Sequence, residues 1–432
     1  METLPNYQYK IILCGGGPAN MGLFVNAYLK KSQQDLIAEG LAIIEKSDVL
    51  GTGKISDYKI TANSLGSVFT ENLEEEFKAD ISFQELIKCA NTAPYLLSVA
   101  NFQRKLCETL LRKTANTNKL HSYISHEVRS IQQLENGIYR VISKNLKTDE
   151  FVELTGKKIL LNLGGYQDIN RIEQLKILNN IKLREYSKKL ILSEKIIFLD
   201  KDQTIKMVKE KERFVIVGGS HSAFSVALKL SEHAENLKKK IKITILHRNE
   251  IKLFFATTQE AKQANYQFNP LQDVCPLSGR VNRFGGLRYD KCSFAMQAMK
   301  LKPSTSNYYE IELIQTTNKM TSDPNKIKAI LKNADAIIPA CGYQPRLVPI
   351  YDFHGKEMEL MRDPDGGLYT DHHASLYHSS GKKIDDIYAF GLGAGLRPSP
   401  EIGGEPSYKG RLDGIWLYQN DIGNIVYKSL NS

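Results

Sequence analysis

Four apolar residues, Ile11 to Cys14, run straight into three glycines, Gly15 to Gly17. Pro18 and Ala19 then open a segment whose apolar residues Met21, Phe24, Val25, Tyr28 and Leu29 recur at helical spacing. The pattern predicts a short buried strand, a tight glycine turn and a helix, an arrangement that commits the chain to an α/β fold. Gly15 can form the turn. Gly17 lets the backbone approach a ligand, and the helix start at Pro18, Ala19 and Asn20 directs free N–H groups and the positive dipole end at a pyrophosphate. Asn20 stands where such a turn expects a third glycine, so close packing of helix on strand is less assured there. An acidic residue should close the second strand and hydrogen-bond a ribose. Leu41-Ala-Ile-Ile-Glu45 supplies Glu45, delayed by the lengthened connection Ser32 to Gly40.

The pattern recurs about 200 residues later. Arg213-Phe-Val-Ile-Val leads into Gly218-Gly219-Ser220-His221-Ser222-Ala223, with helical spacing continuing through Val226, Ala227 and Leu230. The next strand, Lys242 to Leu246, ends in His247-Arg248 and carries no acid. An acid there suits a free 2′-hydroxyl and a cation suits a 2′-phosphate, so Arg248 points to NADP. His221 is assigned to binding or capping, and the sequence nominates no catalytic base.

Other stretches are less specific. Lys46 to Gly53 is a glycine-containing loop. Thr61 to Ser67, which includes Asn63, is either a bed for a flat ring or a surface loop. Two helices are expected at 82–90 and 97–111, then short strands of a meander at 124–131, 137–142, 150–154 and 158–165. Residues 172–203 form a connector of uncertain structure. Arg280, Arg283 and Arg288 fall within nine residues beside glycines. They could hold an anionic cofactor or a substrate carboxylate, or form a solvated loop, and their role stays open. Ala334 to Pro345 and Asp386 to Gly395 are strands running into glycine turns at Gly342 and Gly391, and 411–428 reads as one closing helix.

The balance of 58 basic against 48 acidic residues gives 58 − 48 = +10. The lysines are scattered, so the charge is background, with RNA binding a minority reading. Six cysteines without close spacing argue against a zinc site or a local redox disulfide and for reduced thiols. No apolar run approaches the roughly 20 residues that span a bilayer, and no signal peptide is visible at residues 1–9, so a cytoplasmic protein is expected. A small-molecule substrate, no metal and no membrane are expected; a homo-oligomer is left open.

Two such turns, each followed by its own second strand, resemble the flavoproteins with two dinucleotide-binding domains. Gly15-x-Gly17-Pro18-Ala19 with Glu45 is similar to their FAD fingerprint, and Gly218 to Ala223 to their nicotinamide one. Ala340-Cys-Gly342-Tyr-x-Pro345 resembles their Ala-Thr-Gly motif, with Cys341 in the place of threonine. Ile387 to Gly391 resembles the last flavin-contacting strand, where Leu392 replaces the usual aspartate. Residues 46–70 lack the cysteine pair of the disulfide reductases. The closer likeness is to the single-component flavin monooxygenases, among them the lysine and ornithine N-hydroxylases. The resemblance implies a Rossmann-like FAD-binding domain from residues 1–205 and 335–432, with a smaller NADP-binding domain inserted at 206–334. It further implies NADPH reducing FAD, and oxygen transfer to a small molecule, an amine nitrogen being one candidate, by way of a flavin C4a-hydroperoxide. The competing expectations are a flavin reductase or dehydrogenase serving a protein partner, and a non-enzymatic FAD-binding RNA-associated protein.

Overall fold

In the computed structural model the described residues are all but 1–6, 72, 75–76, 78, 115–117, 179–180, 318–322, 365 and 432. The first glycine turn grows out of the centre of the larger sheet. Strand β1 (Tyr9–Cys14) lies between β2 (Leu41–Glu45) and β6 (Phe151–Leu161), parallel to both. Strand β3 (Leu120–Ile124) extends this parallel set beyond β2, while β4 (His126–Gln133) and β5 (Tyr139–Asn145) add an antiparallel meander beyond β6. Ile11, Ile12, Leu13 and Cys14 are all fully buried, as a central parallel strand covered on both faces must be. Helix α1 (Pro18–Leu29) covers one face.

The strands expected at 150–154 and 158–165 are one strand, β6. Gly156 is not a turn there: a Cβ on it would come within 2.7 Å of the Ile12 side chain, so its bareness lets β1 pack alongside. The length of β6 lets it serve two partners on one edge. Phe151 to Gly156 pair with β5, and Ile159 and Leu160 pair with the late strand Lys383–Tyr388, which thereby returns to the sheet on the edge of β6 opposite β1.

The second sheet holds four parallel strands in the order Tyr309–Gln315, Ile241–His247, Arg213–Val217, Ala336–Pro339. The helix His221–Asn236 packs on one face through Phe224, Val226 and Leu230, together with Ile196, Ile197 and Val208. Ile172, Ile181 and Leu183 cover the other face with Ile327 and Leu331. The connector at 172–203 is therefore part of this packing, and the fourth strand lies beyond residue 334.

The closing segment is two helices, Ile415–Gln419 and Asp421–Asn431, broken at Asn420 (φ −121°, ψ −99°). Both pack on α1, where the buried Asn26 Nδ2 donates to the Gln419 carbonyl at 2.9 Å and to Asn424 Oδ1 at 2.9 Å. Gly22 and Gly423 permit the approach: a Cβ on Gly22 would lie 2.8 Å from the Tyr418 backbone carbon, and one on Gly423 would lie 3.1 Å from the Asn26 side chain.

Candidate cofactor and active site

One cavity of about 1740 Å³ runs from the first glycine turn to the helix that follows the second. Sites for one small ligand are roughly 300–1,000 Å³, so this space suits more than one large ligand. Gly15, Gly17, Pro18, Ala19, Glu45, Gly53, Asn63, Gly391 and Leu392 line it from the larger-sheet side, and Ser220, His221 and Ser222 from the other.

The three glycines of the first turn differ in what constrains them. Gly15 has φ +102°, and a Cβ there would sit 2.2 Å from the Asn162 carbonyl oxygen. At Gly16 it would meet Leu50 at 2.3 Å. At Gly17 its nearest contact would be Gly53 Cα at 3.6 Å, an ordinary van der Waals distance, so the protein leaves a cradle there. Glu45 stands at the end of β2 facing the cavity. One carboxylate oxygen accepts the Gly16 N–H at 2.6 Å, and the other accepts from the Ser47 N–H at 2.7 Å and hydroxyl at 2.8 Å. The bare backbone at Gly17, the helix N-terminus at Pro18 and this fixed carboxylate fit a dinucleotide such as FAD.

Asn20 lies outside the lining. It is fully buried, its Nδ2 donates to the Gly15 carbonyl at 2.7 Å, and its Oδ1 accepts from Asn162 Nδ2 at 2.5 Å. Asn162 Oδ1 in turn accepts the Phe390 N–H at 2.9 Å. Hydrogen bonds thus hold α1 to the sheet where the turn lacks its third glycine.

Gly218 has φ +137°, with the Ala340 carbonyl against its Cα, and Gly219 is backed by His247. Both shape the second turn from behind the lining. Arg248 follows its strand with an exposed side chain, and its carbonyl accepts from Thr317 Oγ1 at 2.6 Å. Gly342 has φ +84° and no heavy atom within 4 Å of a built Cβ; its neighbour Tyr343 lines the cavity. His221 lines the cavity, and its Nε2 is enclosed without a hydrogen-bond partner among the described residues. Burial first, then the charges of Arg288 and Lys291, push this imidazole down to about 3, so it is neutral at physiological pH.

Several lining residues were not singled out as site residues from the sequence. Burial pushes the Tyr58 phenol up to about 12 and raises Tyr343, its hydrogen-bond partner, further still, so both remain protonated. Asp413 opens on the cavity. Its carboxylate accepts from the Tyr418 hydroxyl, and burial raises its pKa in spite of that bond and the nearby Arg411 charge. Trp416, the only tryptophan, lines the cavity with its Nε1 donating to Glu71 at 2.9 Å.

The walls are tied together in two places. Lys291, 1% exposed, donates to the carbonyls of Thr61 at 2.9 Å and Ala62 at 3.2 Å, and the Thr61 hydroxyl bonds Asp290. On the other side, buried Glu405 accepts the Gly285 N–H at 2.7 Å and the Phe284 N–H at 3.1 Å, and Arg283 donates to the Ile402 carbonyl at 2.6 Å. The arginine loop is therefore anchored to the C-terminal segment.

No protein-family model matches the chain. It is 29% identical over 437 residues to the CMP-5′-(3-aminopropyl)phosphonate hydroxylase of Streptomyces rubellomurinus, covering 98% of this chain and 97% of that protein. Its structure superposes on the ornithine N-hydroxylase of Kutzneria sp. 744, solved with reduced FAD, NADP+ and L-ornithine, with a TM-score of 0.56, 13% identity and 99% of both chains covered. The L-lysine 6-monooxygenase of Pseudomonas syringae gives 0.54, 13% identity, and 98% and 99% coverage. The chain has their fold, with two α/β parts each built on its own sheet.

Proposed function

We propose that this chain, which has the two-domain flavoprotein fold of the N-hydroxylating enzymes, is an FAD- and NADPH-dependent monooxygenase acting on a primary amine. The balanced reaction is R–NH2 + O2 + NADPH + H+ → R–NHOH + H2O + NADP+. The observation that carries this reading is the single cavity running from the first glycine turn to the helix start after the second, with room for two dinucleotides and a substrate. The sequence relative acts on a compound with an amine, and the two structural relatives are an ornithine and a lysine hydroxylase. A primary amine is what these substrates share.

Bound FAD supplies the redox and oxygen chemistry that side chains lack. The chain's own residues bind, orient and shield. Gly17 and the start of α1 receive the FAD pyrophosphate, and Glu45 receives a ribose hydroxyl. Gly53, Asn63, Gly342, Gly391 and Leu392 border the flavin. Ser220, His221 and Ser222, at the N-terminus of a 16-residue helix, receive the NADPH pyrophosphate, and Arg248 receives the 2′-phosphate. Neutral His221 offers its enclosed Nε2 as a hydrogen-bond partner without adding charge. The inserted unit is drawn at 169–339, slightly wider than 206–334, because those flanks pack on its sheet. Among the described residues no helix is long and apolar enough to cross a membrane. We place the enzyme in the cytoplasm, where its six cysteines stay reduced.

The test is stoichiometry. Purified protein should be yellow, and an accepted amine should yield NADPH oxidised, oxygen consumed and hydroxylamine formed in equal amounts. Oxygen converted quantitatively to hydrogen peroxide with every amine tried would favour a reductase, and protein unable to bind FAD would end both readings.

A further inference from the structure

The arginine loop is the part of the cavity that cofactor binding leaves without a task. Arg280, Arg283 and Arg288 bring three cations to one wall, with Ser278 beside them. Among the described residues only Arg283 of the three has a carboxylate partner, Asp421 at 3.5 Å. Arg288 is fixed by stacking: its guanidinium lies 4.2 Å from the centre of the Phe254 ring and donates to the Arg283 carbonyl. Burial, together with the charges of Arg280 and Arg283, pushes its pKa down, although Tyr289 acts in the opposite sense. A chain that gathers like charges in a partly buried wall raises its own free energy. The cost is recovered when an anion arrives.

The loop is also prebuilt. Glu405 holds the Phe284 and Gly285 N–H groups, Arg283 is tied to Ile402, and Cys275 accepts the Gly404 N–H at 3.3 Å. Its anchors belong to the C-terminal segment, the same segment that places Asp413 on the cavity. The anionic groups of NADPH have other places in the proposed function, at the helix start beside Ser220 and at Arg248. Arg288 is near enough to His221 for its charge to be felt there, so the loop borders the nicotinamide side as well as the space left to the substrate. Planar guanidiniums with paired N–H donors match the oxygens of a phosphoryl group.

Building on the proposed amine oxygenation, we propose that Arg280 and Arg288, with Ser278, form a phosphoryl-binding subsite for the substrate. The amine that is hydroxylated is then carried on a phosphate or phosphonate, and the free amino acids are poor substrates. Asp413, on the same C-terminal segment as the loop's anchors, presents a hydrogen-bonding carboxyl group to the same cavity, which suits a molecule with an amine at one end and a phosphoryl group at the other.

The experiment is calorimetric titration of the oxidised FAD holoenzyme with 3-aminopropylphosphonate, 4-aminobutanoate and propylamine, in the wild type, Arg280→Gln and Arg288→Gln. The phosphonate should bind at least roughly tenfold more tightly than the other two, and each substitution should remove most of that preference, as losing a charge-assisted contact does. NADPH affinity and flavin content should stay within about threefold. Arg280 is exposed, so its variant keeps the fold in place and remains decisive if Arg288→Gln is unstable. Wild-type protein that does not prefer the phosphonate overturns the proposal, as do variants that bind it unchanged or lose NADPH instead. Hydroxylamine formation is measured separately, so tight phosphonate binding without any hydroxylated amine would count against the monooxygenase reading and not against the subsite.

Discussion

Gly17 is surrounded by less protein than the two glycines that precede it in the turn, and that difference makes it informative. A valine side chain fits the polypeptide there, since the nearest contact to a Cβ is 3.6 Å, but would fill the space proposed for the pyrophosphate. Gly17→Val should therefore fold and melt near the wild-type temperature yet purify colourless; a yellow variant with normal flavin content removes the assignment. Arg248 gives a second test at this scale. Arg248→Ala should cost NADPH about 1.5–3 kcal/mol, or roughly ten- to a hundredfold in affinity, and spare NADH. Equal loss of both coenzymes in direct binding measurements would give Arg248 another role. Sequence pattern singled out these two residues because the roles proposed for them follow from adjacent positions in the chain. It could not show that Asn20 would bond Asn162, or that Asp413 would open on the cavity. Those relations join positions 142 and more residues apart, and nothing in the local sequence marks them.

Among the elements, the contact between α1 and the two C-terminal helices is unusually close. Alanine is the better helix former by about 1 kcal/mol, yet a Cβ at position 22 would lie 2.8 Å from the Tyr418 backbone carbon. Backbone cannot swing aside as a side-chain tip can, and overpacking costs about 1–3 kcal/mol. Gly22→Ala should therefore lower the melting temperature, and because Tyr418 bonds Asp413 it should also disturb the cavity wall. A variant as stable as the wild type would show that the helices can part without penalty. The parallel strands were readable in advance because central strands buried on both faces are continuous apolar runs. The single strand β6 and the break at Asn420 were not. Gly156 looks like a turn until Ile12 is seen beside it, and the helix break lies where the chain must keep contact with α1.

At the scale of the whole molecule, Lys291 joins the two sheets' domains by donating to the carbonyls of Thr61 and Ala62. Lys291→Met keeps the stem and removes the donor, which should cost about 1–3 kcal/mol in unfolding experiments. If this contact also sets the alignment of coenzyme and flavin, anaerobic bleaching of the flavin by NADPH should slow by roughly tenfold or more, because hydride transfer is sensitive to small misplacements. Reduced stability with unchanged bleaching would make Lys291 a structural tie only. The return of Ile387 to pair with Ile159 has a temporal consequence. The two positions are 387 − 159 = 228 residues apart. At roughly 5–20 residues per second, the ribosome takes about 10–50 s to deliver the later strand. During that interval half of one edge of β6 is without its neighbour, while all four strands of the second sheet, ending at Pro339, emerge before it closes. The inserted unit can thus mature first, and the flavin pocket closes only near the end of synthesis. Ribosome-stalled chains that have exposed residues up to Pro339 should resist protease across the inserted unit but retain no flavin, and flavin retention by such a chain would contradict this order.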